Sequence, residues 1–446
     1  MFGVIYYLIL TLSVVIFFIF HHRYRLRTVS YTVIMYVISI ILIQIPGYKI
    51  SLGEGVNSEL YHGFDIDLYL LYVSFMILTP AGLILGNLFG RNIGIRTHER
   101  KYFEKYMVLW LIFILVYSLA YFSWLPEIPL NSLIKGDIGV LELTISRVAI
   151  THQLSELMEI PFVFRYWRNF LQSCFLVLFL YYFLKYRSKG LLEKLLIFSL
   201  FLYLGYCFLF TLEKARFLET FISIFIVSFV GRKVPLEKIV LFISTFMIFI
   251  LIMYIYFMGA KVENFIDFFT LLSGRLAEQS ASTYLGIEYV RSNGFLLLNG
   301  ISMPIINKIF TIDYVDIGRW AYEVMIPAYT EMGTIGAAGG MSLAELYFCF
   351  SWFSLPIFFF FTIIYGFFDA VFLNSVFSER STLKAREIHL AFYAAISALY
   401  SFAISSSVFL LFAFPTILSP QLIFILVLYC SLIEIRKISF YHIVKA

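Results

Sequence analysis

Charge is scarce in this chain. Asp, Glu, Lys and Arg make up 14% of its 446 residues, against roughly 25% in ordinary soluble domains, while 61% are apolar and 20% aromatic. A soluble globular class is excluded. Short strands with alternating polar and apolar residues are also lacking, so a closed barrel is excluded and helices are the expected spanning form. The four cysteines, Cys174, Cys207, Cys349 and Cys430, all sit in or beside apolar runs, a spacing that suits packing and neither a disulfide framework nor a metal cluster. No zinc-ligand spacing, nucleophile elbow or internal repeat is present, and neither metal nor cofactor is expected. The first apolar run has no basic residues ahead of it and no small-residue cleavage site, so it reads as a retained helix.

Apolar runs of about 20 residues, each enough to cross a bilayer, fall near 2–20, 28–46, 67–88, 106–124, 169–184, 192–212, 214–230, 238–258, 348–372, 389–412 and 416–433. The expectation is an all-α polytopic integral membrane protein, one transmembrane domain over 1–446 with about 11 helices. The connections HHRYRLR (21–27), 86–105, KYRSKGLLEK (185–194), GRKVPLEK (231–238), 374–387 and 434–446 hold 21 of the 33 Lys and Arg residues. They alternate along the chain, which puts them on the cytoplasmic side, with the N-terminus periplasmic and the C-terminus cytoplasmic. The net charge of +5 is thereby explained by topology, and no nucleic-acid partner is implied.

Two outward segments are too long to be turns: 125–168, and a large loop at 259–347 between helices 8 and 9. Loops of that length are uncommon unless functional. The second opens with apolar residues at helical spacing, which suits amphipathic helices on the membrane surface. It continues through Pro304 and Pro327 to GTIGAAGG (333–340), a turn-forming stretch outside any strand-helix-strand unit and so no nucleotide fingerprint.

The charges of TLEKARFLET (211–220) interrupt an apolar run from Leu195 to Val230. As one helix that run would be about 54 Å long, far more than the roughly 30 Å hydrocarbon core, so it must be two helices with an outward turn. Lys214 and Arg216 then fall at the start of the returning helix, where an ionised group needs a partner or a wet cavity. Arg meets two phosphate oxygens through its planar fork and Lys adds a point charge, so the pair suits a phosphate-bearing lipid. The competing reading is a self-satisfied stripe of Glu213, Arg216 and Glu219.

Other outward groups are few. Arg147 could reach a cavity or form a solvated salt bridge; Arg275 has Glu278 as a helical neighbour; Arg275 and Arg291 together could close over an anionic substrate. Glu331, Glu345 and His152 are the candidates for taking a proton from a hydroxyl, with helix capping the alternative for Glu345. The sequence DID at 65–67 matches a divalent-ion pattern too short to be specific.

With its span number, its large late outward loop and an arginine near the outer end of a middle helix, the chain resembles the O-antigen polymerase (Wzy) family. The local matches are EIPLNSL with Arg147 downstream, EKARFLETFISIFI, and the run ending GGMSLAELYFCF. Two departures are Glu213-Lys214-Ala215 before the helix arginine, where similar proteins have small residues, and Phe350-Ser351 in place of an aromatic-Gly pair. The resemblance implies a glycosyltransferase of the bacterial inner membrane that polymerises undecaprenyl-diphosphate-linked oligosaccharide repeat units at the periplasmic face. It implies Arg216 with Lys214 on the diphosphate, Arg147, Arg275 and Arg291 on a second phosphate or on closure, and Glu331, Glu345 or His152 as base. Membrane lipids are expected around it, and the resemblance admits a chain-length regulator as partner. The alternatives are an O-antigen ligase, which would be expected to use a histidine in the large loop where 259–347 has none, and a transporter or flippase of lipid-linked oligosaccharide, which would carry charges within several spans.

Overall fold

The computed structural model describes residues 2–23, 29–52, 63–135, 166–187, 189–211, 214–230, 282–300, 313–325, 340–377, 382–401 and 420–440, with isolated positions between them. Among the described residues, six helical segments are long and apolar enough to cross a membrane: Phe2–His21, Tyr31–Ser51, Ile66–Gly90, Phe103–Trp124, Leu191–Leu209 and Ser342–Val376. Shorter apolar helices run over Ser173–Tyr186, Leu218–Phe229 and Gln421–Leu432. This is the framework of an all-α membrane protein. The run expected at 238–258 and the second half of that at 389–412 lie almost wholly outside the described residues.

The chain folds into two compact units, one made of Met1–Asn92, Val262–Val371 and Tyr400–Ser419, the other of Ile93–Lys261, Phe372–Leu399 and Pro420–Ala446. In the first, the Ile66–Gly90 helix meets the Ser354–Val376 helix along Gly82, Gly86 and Gly90. A Cβ on Gly86 would overlap the backbone oxygen of Ile363, and one on Gly90 would lie 2.6 Å from the oxygen of Phe367. Lipid tails are as apolar as leucine, so such pairs are held by close backbone approach and not by the hydrophobic effect. Gly366 lies against Leu83 and Asn87 from the opposite side.

Polar groups in this unit are consumed locally. Pro80, inside the Ile66–Gly90 helix, cannot donate to the carbonyl of Met76; the Ser13 hydroxyl donates to that oxygen at 2.6 Å and pairs with the Tyr36 hydroxyl at 2.7 Å. Asp369 is 1% exposed. It accepts from the backbone N–H of Thr32 at 3.1 Å and from the Thr32 hydroxyl, in the first turn of the Tyr31–Ser39 helix, where free N–H groups and the dipole favour an anion. Asn87 donates to the same hydroxyl oxygen at 2.8 Å.

The span expected at 348–372 is shifted. Ser351 adopts φ 54 and ψ −142, a conformation costly for a residue with a Cβ, and it splits the 35-residue apolar segment into Ser342–Phe350 and Ser354–Val376. Hydropathy alone could not see the break, because the apolar segment continues across it.

In the second unit, the aromatic side chains do the packing that glycines do in the first. Tyr121 stacks on the buried Trp167 at 4.0 Å and 6°, and Phe122 and Phe210 close on the same indole edge-on. The unit also carries one strand pair that the sequence reading did not anticipate. Residues Ile93–Glu99 and Ile433–Phe440, read as charged connections, pair as an antiparallel two-stranded ribbon (β1 and β2) with an irregularity at Arg96/Thr97. Nearby, Lys185 and Lys384 both bind Glu104, at 3.0 and 3.1 Å, and Asn374 donates to the carbonyl of Ile93. Segments of four of the six basic connections therefore meet at one end of this unit.

Candidate functional site

The Leu191–Leu209 helix ends where the charged interruption begins, and the Lys214–Phe229 helix returns. Residues 212 and 213 lie outside the described residues, as do the side chains of Lys214, Arg216 and their neighbours to 217. The backbone nevertheless fixes Lys214 and Arg216 in the first turn, with no acidic residue in that turn. Exposed N–H groups and the positive dipole end make this the least favourable part of a helix for a cation and the most favourable for an anion. Glu219, the last member of the competing stripe, is 3% exposed on a helix packed against Leu383–Leu399, and the other two members, Glu213 and the Arg216 side chain, lie outside the described residues.

A second sequence motif arrives at the same place. The N–H of Leu130, in the short Pro129–Lys135 helix, donates to the carbonyl of Phe210 at 3.1 Å, and the Tyr206 hydroxyl reaches Asn131 at 3.4 Å. EIPLNSL is thus held against the break from which EKARFLET emerges.

In the other unit, Arg291 lies in the last turn of a helical stretch over 282–293 and spans two carboxylates. Its guanidinium nitrogens lie 2.5 and 3.1 Å from the two oxygens of Asp65 and 2.6 Å from Asp67. Asp65 also caps the Ile66–Gly90 helix, accepting from the N–H of Leu68 at 3.0 Å, and is 8% exposed. These bonds, that to Asp65 first, raise the arginine pKa further and keep the group charged. The same stretch carries Tyr289, edge-on to Trp320 at 4.9 Å, and Gly286, on which the Phe348 ring rests. Thr283 accepts from the N–H of Met341 at 3.1 Å, so the stretch is seated on the Ser342–Phe350 helix. Glu345 is half-buried in the first turn of that helix.

Of the residues named from sequence, the structure brings Lys214 and Arg216 together at one helix start and gives Arg291 a neutralising pair that sequence reasoning missed. The missed partners carried a local signal, since Asp65 directly before an apolar helical run is a capping position, but the choice of Arg291 across more than 220 residues carried none. His152, Arg147, Arg275 and Glu331 lie outside the described residues. Among the described residues no group of three or more His, Cys, Asp or Glu side chains is arranged to hold a metal ion.

Comparison with protein-family models, with curated proteins and with solved structures returned no match.

Proposed function

We propose that the protein is a membrane glycosyltransferase that polymerises lipid-diphosphate-linked oligosaccharide repeat units, with undecaprenyl diphosphate as the leaving group, in the inner membrane and at its periplasmic face. The observation that carries the reading is the start of the Lys214–Phe229 helix. Two cations occupy a first turn whose dipole opposes them and which holds no carboxylate, an arrangement that a bound anion turns from unfavourable to favourable.

The chemistry asks for such a place. An acceptor hydroxyl oxygen attacks the anomeric carbon of the donor glycan, the bond from that carbon to the diphosphate oxygen breaks, and the electron pair leaves on the diphosphate. Arg216 and Lys214 stabilise the developing charge, through donors fixed before the reaction begins. The hydroxyl proton passes to a carboxylate or imidazole, for which Glu345, Glu331 and His152 are the available groups. Arg147 and Arg275 remain candidates for a second phosphate.

Deleting the gene in its native strain and running the surface glycan on a gel tests the reading. Glycan carrying one repeat unit is the expected result. Complete loss of capped material would point instead to a ligase or a flippase and overturn it.

A further inference from the structure

Where β1 runs into the Phe103–Trp124 helix, the chain forms an open cavity of about 490 Å³ lined by Glu99, Arg100, Lys101, Tyr102, Phe103, Glu104, Lys105 and Lys384. Its two carboxylates are already engaged: Glu99 accepts from the Thr382 hydroxyl, and Glu104 is held by Lys185 and Lys384. Among the described residues, Arg100, Lys101 and Lys105 have no carboxylate within ion-pair distance. Their placement is fixed by the backbone. The N–H of Arg100 donates to the carbonyl of Leu432, and the carbonyl of Arg100 accepts from Phe103, both at 3.0 Å. The helix that starts here has no side-chain cap at Tyr102, and the positive end of its dipole lies at the cavity.

Below the cavity the helix is bare. Starting from Lys105, one face carries Leu109, Ile112, Val116 and Leu119, which are 49%, 52%, 61% and 62% exposed; their spacing of three or four residues makes a single stripe. In a helix of this length and composition that stripe faces acyl chains. Basic residues at a helix end attract anionic headgroups, and the effect weakens as salt rises.

We propose that this cavity binds the phosphate of an anionic phospholipid, with one acyl chain lying along the Leu109–Leu119 stripe. Arg100, Lys101 and Lys105, which have no carboxylate partner among the described residues, supply the donors, and the Glu104 ion pairs hold the Phe103–Trp124 and Leu383–Leu399 helices at the spacing the headgroup fills. A free phosphate would use the same donors and ignore the stripe, which makes the two sources separable. The site is independent of the glycan reaction.

Delipidated full-length protein in detergent, titrated separately with phosphatidylglycerol, phosphatidylcholine and inorganic phosphate and read by native mass spectrometry, tests the assignment without any activity. Phosphatidylglycerol is expected to bind at least about tenfold more tightly than phosphatidylcholine, which corresponds to about 1.4 kcal/mol. The combined Arg100→Ala, Lys101→Ala and Lys105→Ala variant is expected to lose that preference. Should that variant aggregate, Lys105→Gln alone, an exposed change, is expected to weaken phosphatidylglycerol binding by about fivefold. Equal binding of the two lipids, or an unchanged preference in both variants, would overturn the proposal. Inorganic phosphate binding as tightly as phosphatidylglycerol would overturn the lipid assignment.

Discussion

Arg291 and Arg216 are both arginines near the ends of apolar helices, and the chain treats them in opposite ways. Around Arg291 it supplies its own anions: Asp65 receives both prongs of the guanidinium and Asp67 a third bond, leaving a cluster with one excess negative charge. Arg216 stands with Lys214, two residues away, in the first turn of a helix that has no acidic residue in that turn, at the positive end of a dipole. A guanidinium saturated by carboxylates ties segments together; one that serves a substrate anion has to keep its fork for the ligand. The bidentate geometry that makes arginine a good phosphate ligand makes it an equally good clamp on carboxylates, so residue type alone does not separate the two roles.

The largest effect should come from Arg216. Arg216→Ala is expected to stop chain extension, lowering the rate by about 10²- to 10³-fold, the loss typical of removing one donor to a developing anion, while the amount of protein in the membrane stays unchanged. Arg216→Lys keeps the charge and loses the fork, and should fall between. Gel ladders from cells carrying each variant measure this, and ladders of normal length from Arg216→Ala would remove Arg216 from the site.

Arg291→Ala should act on stability first. It leaves Asp65 and Asp67 beside each other without their cation, one of them buried, and releases the 282–293 stretch from the start of the Ile66–Gly90 helix. Because Arg291 is about half exposed, with a side-chain accessibility of 48%, the cost should stay below that of breaking a fully buried pair, about 1–2 kcal/mol. A lower unfolding temperature in detergent, reversed in part by Asp65→Asn on the same background, is the expected result. An unchanged melt would show that the clamp holds nothing.

How much of this was legible in the sequence depends on how local each signal is. The break between Leu209 and Lys214 was, because an apolar run longer than a bilayer must turn and charges mark where. The Lys185–Glu104–Lys384 contact was not, although all three residues lie in connections whose basic residues stand out in the sequence. The Arg291 clamp was not, since ion pairs between distant segments are decided by tertiary packing. Nor was the β1–β2 ribbon: IGIRTHE and IEIRKISF each alternate, but they are separated by over 300 residues and basic enough to pass for plain connections. Gly82, Gly86 and Gly90 stand four apart in plain view, and their meaning appears only with the opposing backbone of Ile363 and Phe367.

The smallest perturbation separates the two roles most cleanly. Asp67 is a third exposed and binds a guanidinium that Asp65 already holds, so Asp67→Asn should cost about 0.5 kcal/mol. It also brings the cluster from net negative to neutral. If Arg291 is only a clamp, extension is unaffected and the small loss of stability shrinks further as salt screens the pair. Were Arg291 instead to meet a substrate phosphate, removing the competing carboxylate would lengthen the glycan ladder at unchanged protein level. The clamp predicts the first outcome, and a longer ladder would assign Arg291 to a substrate phosphate.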